Sequence, residues 1–140
     1  MQGGDTSSAA AADSVRVEFR HIQAISCKGN RRVRIEPDGR VFADLVTRDC
    51  PPGVDWNGPW PIAPVRTLDG DERARLRDLI DTSGFFALPT SIARAGHDGF
   101  RDELDVALGP RRHSVVVERT GAPPAFARVR AAVLAAAEVA

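Results

Sequence analysis

Between Leu68 and Val117 the chain reads as a capped amphipathic helix, an aromatic stop and a two-strand hairpin, and this run constrains the fold more than any other part. Asp69 followed by Glu72 has the spacing of a capping box, in which each side chain satisfies a backbone N–H that the first helical turn leaves without a partner. Leu76, Leu79 and Ile80 then recur at helical spacing among Arg73, Arg75, Arg77 and Asp78, so one face is apolar and the other solvated. Ser83-Gly84 ends the helix, with Gly84 supplying a left-handed cap. Phe85-Phe86-Ala87-Leu88-Pro89 can pack back on a core, and a polar loop through Ser91, Arg94 and His97 follows. Phe100, Leu104, Val106 and Leu108 share one parity with Asp102, Gly109-Pro110 turns the chain, and His113, Val115 and Val117 continue on the next strand.

Upstream, Val15, Val17 and Phe19 alternate with Arg16, Glu18 and Arg20, the period-two pattern of a half-buried strand, and His21 continues the inward parity. Val33 and Ile35 alternate with Arg32, Arg34 and Glu36. Pro37-Asp38-Gly39 then makes a tight turn before Val41, Phe42 and Val46. Three antiparallel strands are therefore expected over residues 15–47. Pro123-Pro124 opens a last helix with Phe126, Val129, Val133, Leu134 and Ala137 as its apolar stripe. The expected fold is a single α+β domain over residues 15–140, an antiparallel sheet of about five strands with two helices packed on one face. Residues 1–14 are mostly Gly, Ser, Thr and Ala with two Asp, too polar and small to bury enough for order, and are expected to form a tail.

The chain has 140 residues, of which 43% are hydrophobic, enough for one core without staples. Its 19 basic and 19 acidic side chains cancel, which argues against nucleic acid as a partner. No apolar run approaches the roughly 20 residues of a membrane-spanning helix. The first residues lack the basic start and Leu-rich middle of a signal peptide.

Cys27 and Cys50 flank the Pro37–Gly39 hairpin, which brings them to the same end of the sheet. A disulfide closing a loop of about 24 residues would contribute about 3 kcal/mol in the chain-entropy model. Two free thiols are the alternative, and a zinc site fits less well than either because no second Cys or His pair accompanies them. His21, His97 and His113 have no metal spacing, His97-Asp98 has no third partner, and no nucleophile elbow or phosphate loop is present. The expectation is a chain without catalytic residues, metal or cofactor. Phe100 breaks the calcium-loop reading of Asp98, Asp102, Glu103 and Asp105. Asp102 and Glu103 are instead expected as solvated strand charges facing Arg111 or Arg112 across the hairpin.

The segment from Asp49 to Val65 is a long loop holding both tryptophans, in Trp56-Asn57-Gly58-Pro59-Trp60-Pro61. Loops of this length are usually functional or disordered, and Trp is the residue most enriched in binding hot spots. Trp56, Asn57 and Trp60 are therefore the candidate partner-binding residues. The competing reading is a lid, in which the rings fold down over the sheet and anchor the loop.

The Arg- and Leu-rich helix, the Phe85-Phe86-Ala87-Leu88-Pro89 stop, the hairpin through Phe100 to Val117 and the C-terminal helix together resemble the emfourin family, over roughly residues 67–137. The resemblance implies a small α/β protein and, as for characterised members, an inhibitor of thermolysin-like metalloproteases. The first half departs from that pattern. A longer sheet, a Cys pair and the Trp/Pro loop stand in place of a short Gly-rich hairpin segment, and no inhibitory contact motif carries over. The expected function is a monomeric, non-catalytic inhibitor of a metalloprotease acting by surface occlusion, with prolines limiting the entropy lost on docking. The alternative is an exported or lipid-tethered bacterial envelope module with a structural or interaction role. A bonded Cys pair and an upstream lipobox favour the exported reading, and free thiols favour a cytoplasmic one.

Overall fold

The two period-two stretches on either side of the first helix belong to one sheet. In the computed structural model, which describes residues 14–23, 27–46, 58–96 and 99–138, β1 (Val15–Gln23) pairs antiparallel with β2 (Arg31–Ile35) and, on its other side, with β6 (Phe100–Leu108). Val17 stands between Ile35 and Val106, and Phe19 between Val33 and Leu104. Because side chains alternate across a strand, this register gathers the apolar residues onto one face. Val115 and Val117 of β7 (Arg111–Glu118) and Val41 of β3 (Arg40–Leu45) extend that face.

Two helices cover it. The first, α1 (Gly70–Ser83), begins with the expected reciprocal cap: Glu72 N donates to Asp69 Oδ1 at 2.8 Å, and Asp69 N donates to Glu72 Oε1 at 3.0 Å. It buries Leu76 and Ile80 and ends at Gly84, whose φ of 89° is strained for any side chain. The second, α2 (Pro124–Ala137), buries Phe126, Val129, Val133 and Ala137 and packs on β1, β2, β3 and α1, with Leu134 half-buried at the margin. Phe19, Phe85 and Phe126 are the largest side chains fully inside. Gly39, at φ 94°, lets the hairpin turn press on the start of α1, since a Cβ there would lie 2.4 Å from the Leu68 carbonyl oxygen. No helix among the described residues is long and apolar enough to cross a membrane.

The α+β class holds, but among the described residues the sheet has seven strands and is mixed, against the expected five antiparallel ones. With β4 (Arg66–Thr67) and β5 (Ser91–Ala93), its order is β4-β3-β2-β1-β6-β7-β5. The two additional strands are the edges. β4 pairs antiparallel with β3, and β5 pairs parallel with β7. Segments of two or three residues carry no alternation, so nothing in the residue pattern marks them; tertiary placement beside an open edge makes them strands. The parallel pairing follows from the path. After β5 the chain crosses to β6, which runs the other way, and β7 turns back again, so β5 and β7 share a direction. The stretch through Ser91, expected as loop, is thus partly strand.

Candidate functional site

Arg32 and Arg34 alternate with Val33 and Ile35, so both guanidinium groups point to the face opposite the helices. Arg34 faces Phe42 of β3, and Arg32 stands between Arg20 and Asp44. Two arginines side by side would repel. The repulsion is offset because Arg20 pairs with Glu18 at 2.9 Å and Arg32 with Asp44 at 3.2 Å.

Onto this face folds the segment beginning at Gly58. Arg32 is only 3% exposed, and a buried guanidinium requires several acceptors to replace its water. It donates from Nη1 to the Gly58 carbonyl at 2.9 Å and from Nη2 to the Pro59 carbonyl at 2.8 Å. The Trp60 ring then lies under both arginines, with its centroid 4.2 Å from the Arg32 and 4.7 Å from the Arg34 guanidinium carbon. Such contacts contribute about 0.5–2 kcal/mol each, more when desolvated. Arg34 also sits 4.7 Å over the Phe42 ring, and Phe42, although on the outward face, is 4% exposed. At the far end Val65 N donates to the Val41 carbonyl at 2.8 Å and returns the chain to the sheet.

Between these two anchorages, Pro61, Ile62, Ala63 and Pro64 are all exposed, and Ile62 is 99% exposed. Gly58–Val65 carries no charged residue, in a chain that is 27% charged. The segment is thus a short apolar projection pinned at both ends. Of the candidate partner-binding residues, Trp60 is the one placed here, half-buried as a fastening residue; Trp56 and Asn57 lie outside the described residues. Cys27 is buried at the turn leading into β2, and Cys50, its expected partner, lies outside the described residues.

A second polar cluster occupies the helix-covered face. Asp102, expected as a solvated charge, is 4% exposed. Its parity is that of Leu104 and Val106, so the strand carries the carboxylate inward. His21 Nδ1 lies 2.5 Å from Asp102 Oδ1, and Arg130 Nη1 of α2 donates to Oδ2 at 2.7 Å. On the other side of the imidazole, Nε2 lies 2.8 Å from the Gln23 side-chain nitrogen. With the amide donating there, His21 accepts at Nε2 and donates at Nδ1. The order carboxylate, imidazole, third group has the polarity of a base held by an acid, but an amide stands where a nucleophile would. The cluster joins β1, β6 and α2 through the Asp102 carboxylate.

The cross-strand partners differ from those expected as well. Arg111 reaches Asp81 of α1 at 2.6 Å and stacks on Phe86, Arg112 pairs with Asp105 at 2.8 Å, and Glu103 pairs with Arg101. His113 lies 2.7 Å from the Leu88 carbonyl oxygen and edge-on to Phe85. It stands level with Val106, whereas His21 stands level with Asp102, so the two do not share a site. His97 and Asp98 lie outside the described residues. Among the described residues no three His, Cys, Asp or Glu side chains gather in a way that could hold a metal ion.

Arg32, Ile62, Asp102 and Arg130 therefore carry most of the site geometry, and none of them was among the candidate partner-binding residues. The signal available in the sequence was the parity of Asp102 with Phe100, Leu104, Val106 and Leu108, and the uncharged Pro-flanked run around Ile62. No protein-family model and no curated protein matches this chain.

Proposed function

We propose that this chain is a non-catalytic binding protein, an emfourin-like inhibitor that blocks a thermolysin-like metalloprotease by occupying the surface of its cleft. The single observation that carries the reading is the Gly58–Val65 projection: uncharged, interrupted by three prolines, and tied to the sheet through Arg32 and Trp60. A segment already held in one shape loses little conformational entropy on docking, which is how rigid loops bind tightly over a small area. The scaffold beneath it supplies the rigidity, since Arg32 sits on a central strand pair and not on a loop.

The test is a titration of a thermolysin-like metalloprotease with the purified domain, read as residual activity. Stoichiometric loss of activity supports the reading, and full activity in excess of a folded domain overturns it. Trp60→Ala should weaken inhibition about tenfold by loosening the projection, leaving the domain folded, because the ring contributes cation–π contacts at the surface and no core contact. Unchanged inhibition by Trp60→Ala would mean that the fastened segment is not the contact surface.

A further inference from the structure

We infer that Ile62 is the residue this protein inserts into its partner, and that the receiving site is an uncharged, concave, aliphatic side-chain pocket in the substrate cleft of the protease. The inference rests on the inhibitor reading above and names the contact within it.

Trp60, the larger apolar side chain of the segment, is committed elsewhere, since Arg32 and Arg34 both hold its ring against the sheet. Ile62 is left outside. It is 99% exposed, against 53% for Leu45, the other large apolar side chain exposed among the described residues. Fraying does not account for this, because the segment is pinned two residues before Ile62 at Trp60 and three residues after it at Val65. Pro61 and Pro64 flank the tip. They restrict φ around it and withhold two N–H donors, so the tip presents a side chain in preference to a strand edge for pairing. A convex, uncharged tip fits a concave, uncharged pocket, whereas a charged cleft wall or a nucleic acid would find no counter-charge between Gly58 and Val65. β-branching gives Ile62 few rotamers to lose on insertion.

The test compares inhibition constants of the unaltered domain with those of Ile62→Leu, Ile62→Ala and Ile62→Asp against a thermolysin-like metalloprotease. Full burial of an isoleucine side chain corresponds to a factor of roughly 10–100 in affinity. Ile62→Ala should therefore raise the inhibition constant by about that factor, Ile62→Asp by more, and Ile62→Leu by less than about threefold. All three should retain the melting temperature of the parent, since the side chain touches nothing in the free domain. If the parent inhibits and Ile62→Asp inhibits equally well, the insertion is overturned and the inhibitor reading stands. If the parent itself fails to inhibit, both fall together. Equal weakening by Leu, Ala and Asp would also overturn the insertion, because a pocket that takes a side chain must discriminate by its size and polarity.

Discussion

The two faces of the sheet are covered by different means. On one, two helices bury a continuous set of Val, Leu, Ile and Phe side chains, and the buried carboxylate there, Asp102, is satisfied by His21 and Arg130. On the other, the cover consists of arginine stems, Trp60 and a short irregular segment, held by the donors of one guanidinium. The helix-covered face is stabilised in proportion to area and tolerates exchange among apolar residues of similar volume. The arginine-covered face depends on geometry, since only a planar fork can reach two adjacent carbonyls and an aromatic ring together. A domain built in this way can keep its fold on one side and present a chemically particular surface on the other.

The sharpest way to break this comparison is to unpair the charge on the apolar face. Asp102→Ala removes the carboxylate that Arg130 and His21, both partly exposed, share, and should cost about 3 kcal/mol in denaturant unfolding, the loss of two hydrogen bonds to a charged group. In a Trp56→Phe background, Trp60 emission in the native state should stay unaltered, because the two clusters lie on opposite faces. A change in emission below the unfolding transition would mean that the faces are coupled.

Arg32→Ala acts on the other side and should cost about 2–3 kcal/mol, the loss of charge-assisted hydrogen bonds to two carbonyls and a carboxylate. In a Trp56→Phe background, Trp60 emission should shift to the red and become accessible to a quencher, and Arg32→Lys should fail to restore it. Emission unchanged in Arg32→Ala would show that the segment is held by something other than the guanidinium.

The smallest expected effect concerns the cross-strand charges. Partial burial pushes the Asp105 carboxyl up, but hydrogen bonds from Arg112 and Ser114, with the Arg112 and Arg16 charges, outweigh it and leave the group below the usual carboxylate range. A carboxylate whose folded pKa is lowered adds stability above its unfolded pKa, near 4, and loses it as pH falls through the folded value. Acid titration of Ser114→Ala should therefore show less loss of stability below about pH 4 than the parent, by tenths of a kcal/mol. An identical acid limb in the two proteins would remove this pair from the account.

Much of the architecture is legible along the chain because it is local. The Asp69–Glu72 cap, the Gly84 stop and the Pro123-Pro124 helix start are decided by hydrogen bonds and dihedral preferences within a few residues. The strands over Val15–Gln23, Phe100–Leu108 and Arg111–Glu118 are long enough for alternation to show. Their parity even contained the fate of Asp102, since it shares a face with Leu104 and Val106, although its charge suggested solvent.

What residue order could not convey depends on distant segments meeting. β4 and β5 become strands because an edge lies beside them. Asp102 is tolerated because Arg130 arrives from 28 residues away, and Arg32 is buried because the carbonyls of Gly58 and Pro59 fold onto it. Backbone propensity and periodicity act over a turn or a strand, whereas the burial of a charge is settled by whichever partners the completed fold brings within hydrogen-bonding distance. The sequence by itself thus determined the helices, the long strands and the apolar face. The tertiary structure decided which charges are buried and which of the loop's side chains is left pointing outward.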